Sequence, residues 1–117
     1  MKEIINVLAT QDNTKVLSED VYKFNAPHHF KVVNSHNNEE LVTIDFQEGP
    51  ILENGLNGIF NEDLIIMVLE RLKSFQASDF ACEENAMAII KLEEALMWLR
   101  KRTLDRQKRG VQGTYNK

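Results

Sequence analysis

The chain has 117 residues, a formal net charge of −4 and a single cysteine. This length indicates one small domain. A lone cysteine excludes an internal disulfide, so the composition suits a reducing compartment. The longest apolar run, Leu64–Leu69, is far too short to cross a membrane, and we expect no membrane partner.

Residues 1–58 are expected to form the β-rich part of one compact domain. Their β-branched side chains favour a strand over residues 3–10, and alternating apolar residues on either side of a polar loop favour a β-hairpin over residues 30–46. Residues 14–27 fit either a short strand pair or an irregular covering loop. We expect one face of this sheet to pack on helices formed by residues 59–117.

Residues 59–117 predict a helical hairpin followed by a short tail. The first helix begins at Asn61, a residue type suited to an N-cap. An elbow at residues 76–79 offers capping oxygens for a longer second helix, and Gly110 is suited to end that helix in the left-handed conformation. The tail, residues 111–117, has little to bury and could reach a neighbouring subunit.

Both helices carry apolar residues on more than one side, which is typical of helices that pack inside a subunit and also between subunits. The sequence therefore predicts an α+β fold in which an N-terminal antiparallel β-sheet packs on a C-terminal two-helix hairpin. We expect the protein to oligomerise through these helices.

The second helix has a polar, an apolar and a cationic section along one side. Residues seven apart form a line down it: Asn85, Leu92, Leu99 and Arg106. Arg102 precedes Arg106 by four residues, which places both guanidinium groups on one face. Such a pair suits a diphosphate or a carboxylate, because each guanidinium can donate two parallel hydrogen bonds. The structural alternative is that these cations only complement the helix dipole.

The basic end of this helix, residues 100–109, has a net charge of +5, which leaves −9 on the rest of the chain. An acidic bulk repels a long polyanion, so we expect a small anion rather than a nucleic acid as partner. The alternative is a small nucleic-acid-binding accessory protein that uses the basic helix end. A purely structural oligomerisation module is a third hypothesis.

No pattern in the chain indicates catalysis, a metal site or a cofactor. It lacks a recognisable Ser-His-Asp context, a phosphate-binding glycine loop and a Cys/His metal spacing. His28 and His29 are adjacent, so on a strand they would point to opposite faces and could not share a metal. We expect these histidines to be structural or surface residues, and Cys82 to be a small buried apolar residue rather than a reactive thiol.

Several segments from Ala26 onward resemble a known family. In the hairpin they are NEDL at 61–64, RLKSFQ at 71–76, FACEENA at 80–86, KLEEALMWL at 91–99, RT at 102–103 and RGV at 109–111. Upstream they are APHHF at 26–30 and DFQEGPI at 45–51. These segments are similar to phage anti-defence proteins, above all to the Thoeris anti-defence family of signal sponges. The related anti-CBASS sponges share only the hairpin.

The resemblance implies a fold and a function. It implies assembly through the helices into dimers or larger oligomers, including a hexamer built as a trimer of dimers. It also implies binding of glycocyclic ADP-ribose, a signal made by bacterial TIR-domain defence proteins, without cleavage, so that the effector is deprived of its activator. Some members also hold cyclic di- or trinucleotides at a second site. The implied location is the cytoplasm of the infected bacterial host.

Carried over by position, the family's ligand contacts fall on Phe75, Asn85, Arg102 and Arg106. The ring of Phe75 would stack on adenine, which is worth roughly 1–3 kcal/mol per base. Asn85 would bind a base edge or a ribose hydroxyl, and the two arginines would hold the diphosphate. Asn85 and Arg106 lie about 30 Å apart along one helix. They can meet around one small ligand only if two such helices run antiparallel, so we expect the site between two subunits.

Overall fold

The computed structural model describes all 117 residues as two compact units, Met1–Ile59 and Phe60–Lys117. The first unit holds an antiparallel sheet and the second holds two long helices, so the predicted α+β class is confirmed. The packing of the sheet on the helices and the oligomeric state remain predictions.

The sheet of the first unit is a meander in which each strand pairs with the next one along the chain. Its four strands are β1 (Lys2–Ile4), β2 (Thr14–Ser18), β3 (His29–Asn34) and β4 (Glu40–Asp45), and a short helix, α1 (Ile51–Asn54), follows. All three strand pairs are antiparallel. The register of the β3–β4 ladder shifts once, between Val32 and Val33, which pair with Val42 and Glu40.

The predicted β-hairpin is confirmed, and asparagines build its turn. The Asn34 side chain accepts a hydrogen bond from the backbone of His36, and the Asn34 carbonyl accepts one from the backbone of Asn38. Asn38 has a φ of +61°, a conformation that asparagine adopts more readily than most residues. The turn therefore follows from local side-chain chemistry.

The predicted strand over residues 3–10 is wrong beyond Ile4. Asn6 turns the chain there, because its side-chain oxygen lies 2.9 Å from the Leu8 nitrogen and its carbonyl accepts a hydrogen bond from Ala9. Residues 14–27 resolve into β2 and an irregular segment. Glu19 fixes the end of that segment, because its carboxylate accepts hydrogen bonds from the backbone nitrogens of His28 and His29 at 3.1 and 2.8 Å.

The second unit contains α2 (Asn61–Gln76) and α3 (Glu83–Lys108). The N-cap of α2 is Phe60, one residue before the predicted Asn61. Phe60 has no side-chain acceptor, so Asp63 completes the cap: its carboxylate lies 2.8 Å from the Phe60 nitrogen, and its own N–H donates to the Phe60 carbonyl. Acidic residues in the first turn also stabilise a helix, because they interact favourably with the positive end of its dipole.

Helix α3 is terminated by Gly110, as predicted. Gly110 has a φ of +70°, and its N–H donates to the carbonyl of Gln107, while Val111 donates to the carbonyl of Arg106. These two hydrogen bonds form a Schellman motif. The motif turns the tail back toward the last turn of α3.

Much apolar surface of the two long helices is exposed. Leu69 is the one buried residue of α2, and α3 has none. Large apolar side chains on both helices are more than half exposed, namely Ile66, Met67, Ile90, Met97 and Trp98. Neither helix is long and apolar enough to pass through a membrane. Exposed apolar patches of this kind are typical of interaction surfaces.

Candidate ligand-binding site

The elbow between α2 and α3 is closed by one side chain. The amide of Gln76 accepts a hydrogen bond from the Cys82 nitrogen at 2.9 Å and donates one to the Cys82 carbonyl at 3.0 Å. Ser78, which we expected to cap α3, instead accepts from the backbone of Phe80 within the elbow. Helix α3 therefore begins at Glu83, with Cys82 as its N-cap. Cys82 is exposed at this elbow, so the prediction that it is buried is wrong.

Phe75 lies in the last turn of α2, at the elbow, and is 38% exposed. It lines a surface cleft of about 500 Å³ together with Arg71 and Phe80. The Arg71 guanidinium lies 5.2 Å from the centre of the Phe75 ring, a cation–π contact. The elbow thus presents an aromatic ring with a cation held on one of its faces, which suits a flat and electron-rich ligand group.

Asn85 lies in the first turn of α3, three residues after the N-cap. Its side chain is half-buried and makes no hydrogen bond within the chain. A primary amide in this state offers two donors and one acceptor to a ligand. Phe75 and Asn85 both belong to the elbow end of the hairpin, which the Gln76 bridge fixes.

Arg102 and Arg106 lie near the opposite end of α3 and line one cleft of about 510 Å³. Its other lining residues are Trp98, Lys101, Asp105, Arg109 and Lys117. Five cationic side chains thus face a single acidic side chain, and no carboxylate lies within 4.0 Å of either Arg102 or Arg106. The positive charge of this cleft remains available to an anion.

The two arginines differ in their surroundings. Arg102 is exposed, and no hydrogen bond ties its guanidinium. Arg106 is half-buried and donates three hydrogen bonds to carbonyls of the tail, those of Val111, Thr114 and Asn116. These acceptors are uncharged, so they orient the Arg106 side chain without neutralising it.

The two halves of the predicted site are far apart within one chain. Helix α3 is continuous over 26 residues, which corresponds to a length of about 39 Å. Asn85 and Arg102 are therefore separated by roughly 26 Å along the helix axis. The structure brings Phe75 near the start of α3 and Arg102 together with Arg106, but it does not bring these two pairs together in a single copy.

Sequence reasoning missed four residues of these clefts. Arg71 precedes Phe75 by four residues, a spacing that could have revealed the cation–π pair. Trp98 precedes Arg102 by four, and its 63% exposure is unusual for a tryptophan. Phe80 and Lys117 lie in the elbow and the tail, where no periodic pattern points to them.

Two comparisons relate the chain to known proteins. Residues 38–104 match the family model described as "Acb2/Tad1, hairpin domain". This range includes Phe75, Asn85 and Arg102 and ends just before Arg106. Over the full length of both chains, the sequence is 47% identical to the protein named Thoeris anti-defense 1 of Bacillus phage SBSphiJ7. The predicted resemblance is thus confirmed, and the chain belongs to the Acb2/Tad1 hairpin family of phage Thoeris anti-defence proteins.

Proposed function

We propose that this protein counters the Thoeris defence in the cytoplasm of the infected bacterial host by binding and sequestering glycocyclic ADP-ribose. The name of its 47% identical relative supports the anti-Thoeris role, and the ligand, which the family resemblance implies, is compatible with the chemistry of the elbow and of the cationic cleft. The elbow offers an aromatic ring and a free amide, which suit a purine and a ribose. The cationic cleft offers two guanidinium groups without an ion-pair partner, which suit a diphosphate.

The observation that carries this proposal is the division of complementary chemistry between the two ends of α3. A cyclic ADP-ribose has a purine and a diphosphate within one small molecule, so both ends must approach it together. Two copies with their α3 helices antiparallel would bring Phe75 and Asn85 of one copy to Arg102 and Arg106 of the other. The exposed apolar residues of the helices, such as Met97, would be buried in such a pair.

Sequestration requires tight binding without turnover. Competing with an effector protein calls for a dissociation constant near or below nanomolar, about −12 kcal/mol. Rigid helices favour this affinity, because little ordering remains to be done on binding. We also propose that the protein is not an enzyme. The clefts are lined by cations and aromatic rings, with Ser74 and Ser78 in one and Asp105 in the other, and neither is lined by a histidine or a cysteine.

The experiment is a binding and recovery assay. Purified protein is incubated with a measured amount of glycocyclic ADP-ribose, filtered to remove free ligand and then heat-denatured. We expect the ligand to bind stoichiometrically and to return chemically intact. A hydrolysed product would indicate an enzyme, and absence of binding would contradict the proposal. The same assay with cyclic di- and trinucleotides tests whether a second class of ligand binds.

Arg102→Ala is the decisive variant, because Arg102 is exposed and ties no other part of the chain. We expect it to lose ligand binding and to keep its oligomeric state and melting temperature. Lys73→Ala, which removes an exposed ion pair with Glu93 at 3.3 Å, is the matched control and should bind normally. Salt-dependent binding of duplex DNA by the parent protein would instead favour the nucleic-acid hypothesis.

A further inference from the structure

The C-terminal tail is folded onto Arg106. The Nη1 atom of Arg106 lies 2.7 Å from the Asn116 carbonyl, and its Nη2 atom lies 3.0 and 3.2 Å from the carbonyls of Val111 and Thr114. A guanidinium has five N–H donors in a fixed fork. With three donors engaged by the tail, Arg106 has two N–H groups and its full charge left for a ligand.

The tail has its own internal structure that maintains this contact. The Thr114 hydroxyl donates to the Val111 carbonyl at 2.5 Å and accepts from the Asn116 nitrogen at 3.3 Å. Gly113 has a φ of +74°, which permits the tight reversal between these residues. The tail then ends with Lys117 on the lining of the cationic cleft. It is thus a built element rather than a loose end.

We propose that the segment Val111–Lys117 is a positioning element of the ligand site. It acts through Arg106, by holding the guanidinium group in one orientation before the anion arrives. A free arginine loses considerable rotamer freedom when it binds, and a side chain already fixed by three carbonyls avoids most of that loss. This inference rests on the proposed anion-binding function. It assigns the tail a role that the helical hairpin alone does not supply.

A replacement that keeps the chain length tests this role. The triple variant Thr114→Gly, Tyr115→Ser, Asn116→Gly removes the hydroxyl that closes the tail and increases backbone freedom, while Lys117 and the terminal carboxylate remain. We expect its dissociation constant for glycocyclic ADP-ribose to rise about tenfold or more, since an ordering cost of about 1.4 kcal/mol corresponds to tenfold. Lys117→Ala is the control for the charge and should change affinity less.

A double-mutant cycle separates positioning from general stability. Arg106→Lys keeps a cation but lacks the planar guanidinium fork that donates to the three tail carbonyls. If the tail acts through Arg106, the triple replacement should weaken binding when it is made in the parent protein. Made in the Arg106→Lys variant, it should weaken binding little further. Equal losses in both backgrounds would overturn the proposal. So would an unchanged affinity of the triple variant.

A second measurement needs no ligand. In the parent protein, the NMR signals of the Arg106 guanidinium should show slow rotation and protection from solvent exchange, and the triple variant should lose both. Fast averaging in the parent would also overturn the proposal. If the parent showed protection but bound no cyclic ADP-ribose, the proposed function would fail while the tail contact stood, so the two failures are distinguishable.

Discussion

The side-chain amide of Gln76 binds both polar groups of the Cys82 backbone, with distances of 2.9 Å to the nitrogen and 3.0 Å to the oxygen. Cys82 is the N-cap of α3, so this contact fixes where α3 begins after α2 ends. It also fixes Asn85, one turn further on, at the end of the hairpin that carries Phe75. A single glutamine therefore connects the two elbow residues of the proposed site.

Replacing Gln76 should loosen the elbow. We expect Gln76→Ala to lower the free energy of unfolding by about 1–2 kcal/mol, because two hydrogen bonds of ordinary net strength are lost. Gln76→Glu keeps the acceptor for the Cys82 nitrogen but places a carboxylate oxygen against the Cys82 carbonyl, so it should also destabilise the elbow. Urea unfolding at one fixed protein concentration measures both, since oligomerisation makes stability depend on concentration. Equal stability of Gln76→Ala and the parent would refute this role.

The ring of Phe75 should matter to the ligand more than to the fold. Phe75→Leu keeps apolar bulk but removes the flat face, so we expect affinity for glycocyclic ADP-ribose to fall about 10- to 100-fold, matching the usual value of base stacking. Titration calorimetry measures the change. Phe60→Leu, at the far end of α2, is the aromatic control and should bind like the parent. Unchanged binding by Phe75→Leu would remove this residue from the site.

His29 is held between two carboxylates of the first unit. Its Nδ1 lies 2.8 Å from the Asp45 carboxylate and its Nε2 lies 2.6 Å from that of Glu48. The hydrogen bond to Asp45, then that to Glu48, raises the pKa of His29 above its ordinary value of 6.5. The expectation of a structural role fits this contact, although the sequence did not reveal the partners.

A raised pKa gives the stability of the protein a defined pH dependence. The folded chain binds the His29 proton more tightly than the unfolded chain does, so this contribution is fully present below about pH 6.5 and is lost as the pH rises through the folded pKa. His29→Gln should remove that part of the slope. Unfolding curves recorded over this pH range test it, and identical pH profiles for parent and variant would contradict it.

Gly58 and Gly110 should respond differently to alanine. A Cβ at Gly58 would lie 2.7 Å from the Asp45 carbonyl oxygen and would also collide with the backbone of Phe46, so the Phe46–Ile59 bridge must shift. A Cβ at Gly110 would have no other part of the chain within 4 Å. The cost of alanine there comes only from the positive φ and is about 1 kcal/mol. We expect Gly58→Ala to lower the melting temperature more. The reverse order would show that the chain at Gly58 moves freely.

The helical hairpin was the most predictable part of the fold because its signals are local. Gly110 ends α3 in the sequence and in the structure, since left-handed geometry selects glycine strongly. The strand predicted over residues 3–10 failed because β propensity reflects packing partners more than the backbone, and Asn6 turns the chain early. Helix α3 begins later than the predicted elbow indicated. Its start depends on the Gln76 bridge to Cys82, six residues further on, and such a contact cannot be inferred from capping preferences.

The candidate site was predictable where residue type and spacing carry the chemistry. The Arg102–Arg106 pair follows from helical periodicity alone. The tail carbonyls that orient Arg106 were not predictable, because any residue has a carbonyl and only the folded path brings three of them to one guanidinium. The cation–π contact of Arg71 with Phe75 lies between these cases. The spacing of four residues is present in the sequence, but the spacing alone does not show that the two side chains are in contact.

In the proposed dimer, each ligand site joins the elbow of one copy to the cationic end of the other. A mixing experiment tests it most directly. One double variant, Phe75→Ala with Asn85→Ala, removes the ligand-binding side chains of the elbow. The other, Arg102→Ala with Arg106→Ala, removes those of the cationic end. Neither variant alone should bind glycocyclic ADP-ribose. In a mixed pair one of the two sites combines an intact elbow with an intact cationic end.

Co-refolding equal amounts of the two variants should therefore restore binding at about a quarter of the parent's capacity, because half the pairs are mixed and each has one intact site of two. The restored sites should have the parent's affinity. If the mixture binds no ligand although mixed oligomers have formed, the site does not combine residues from two copies, and the proposed composite site is wrong.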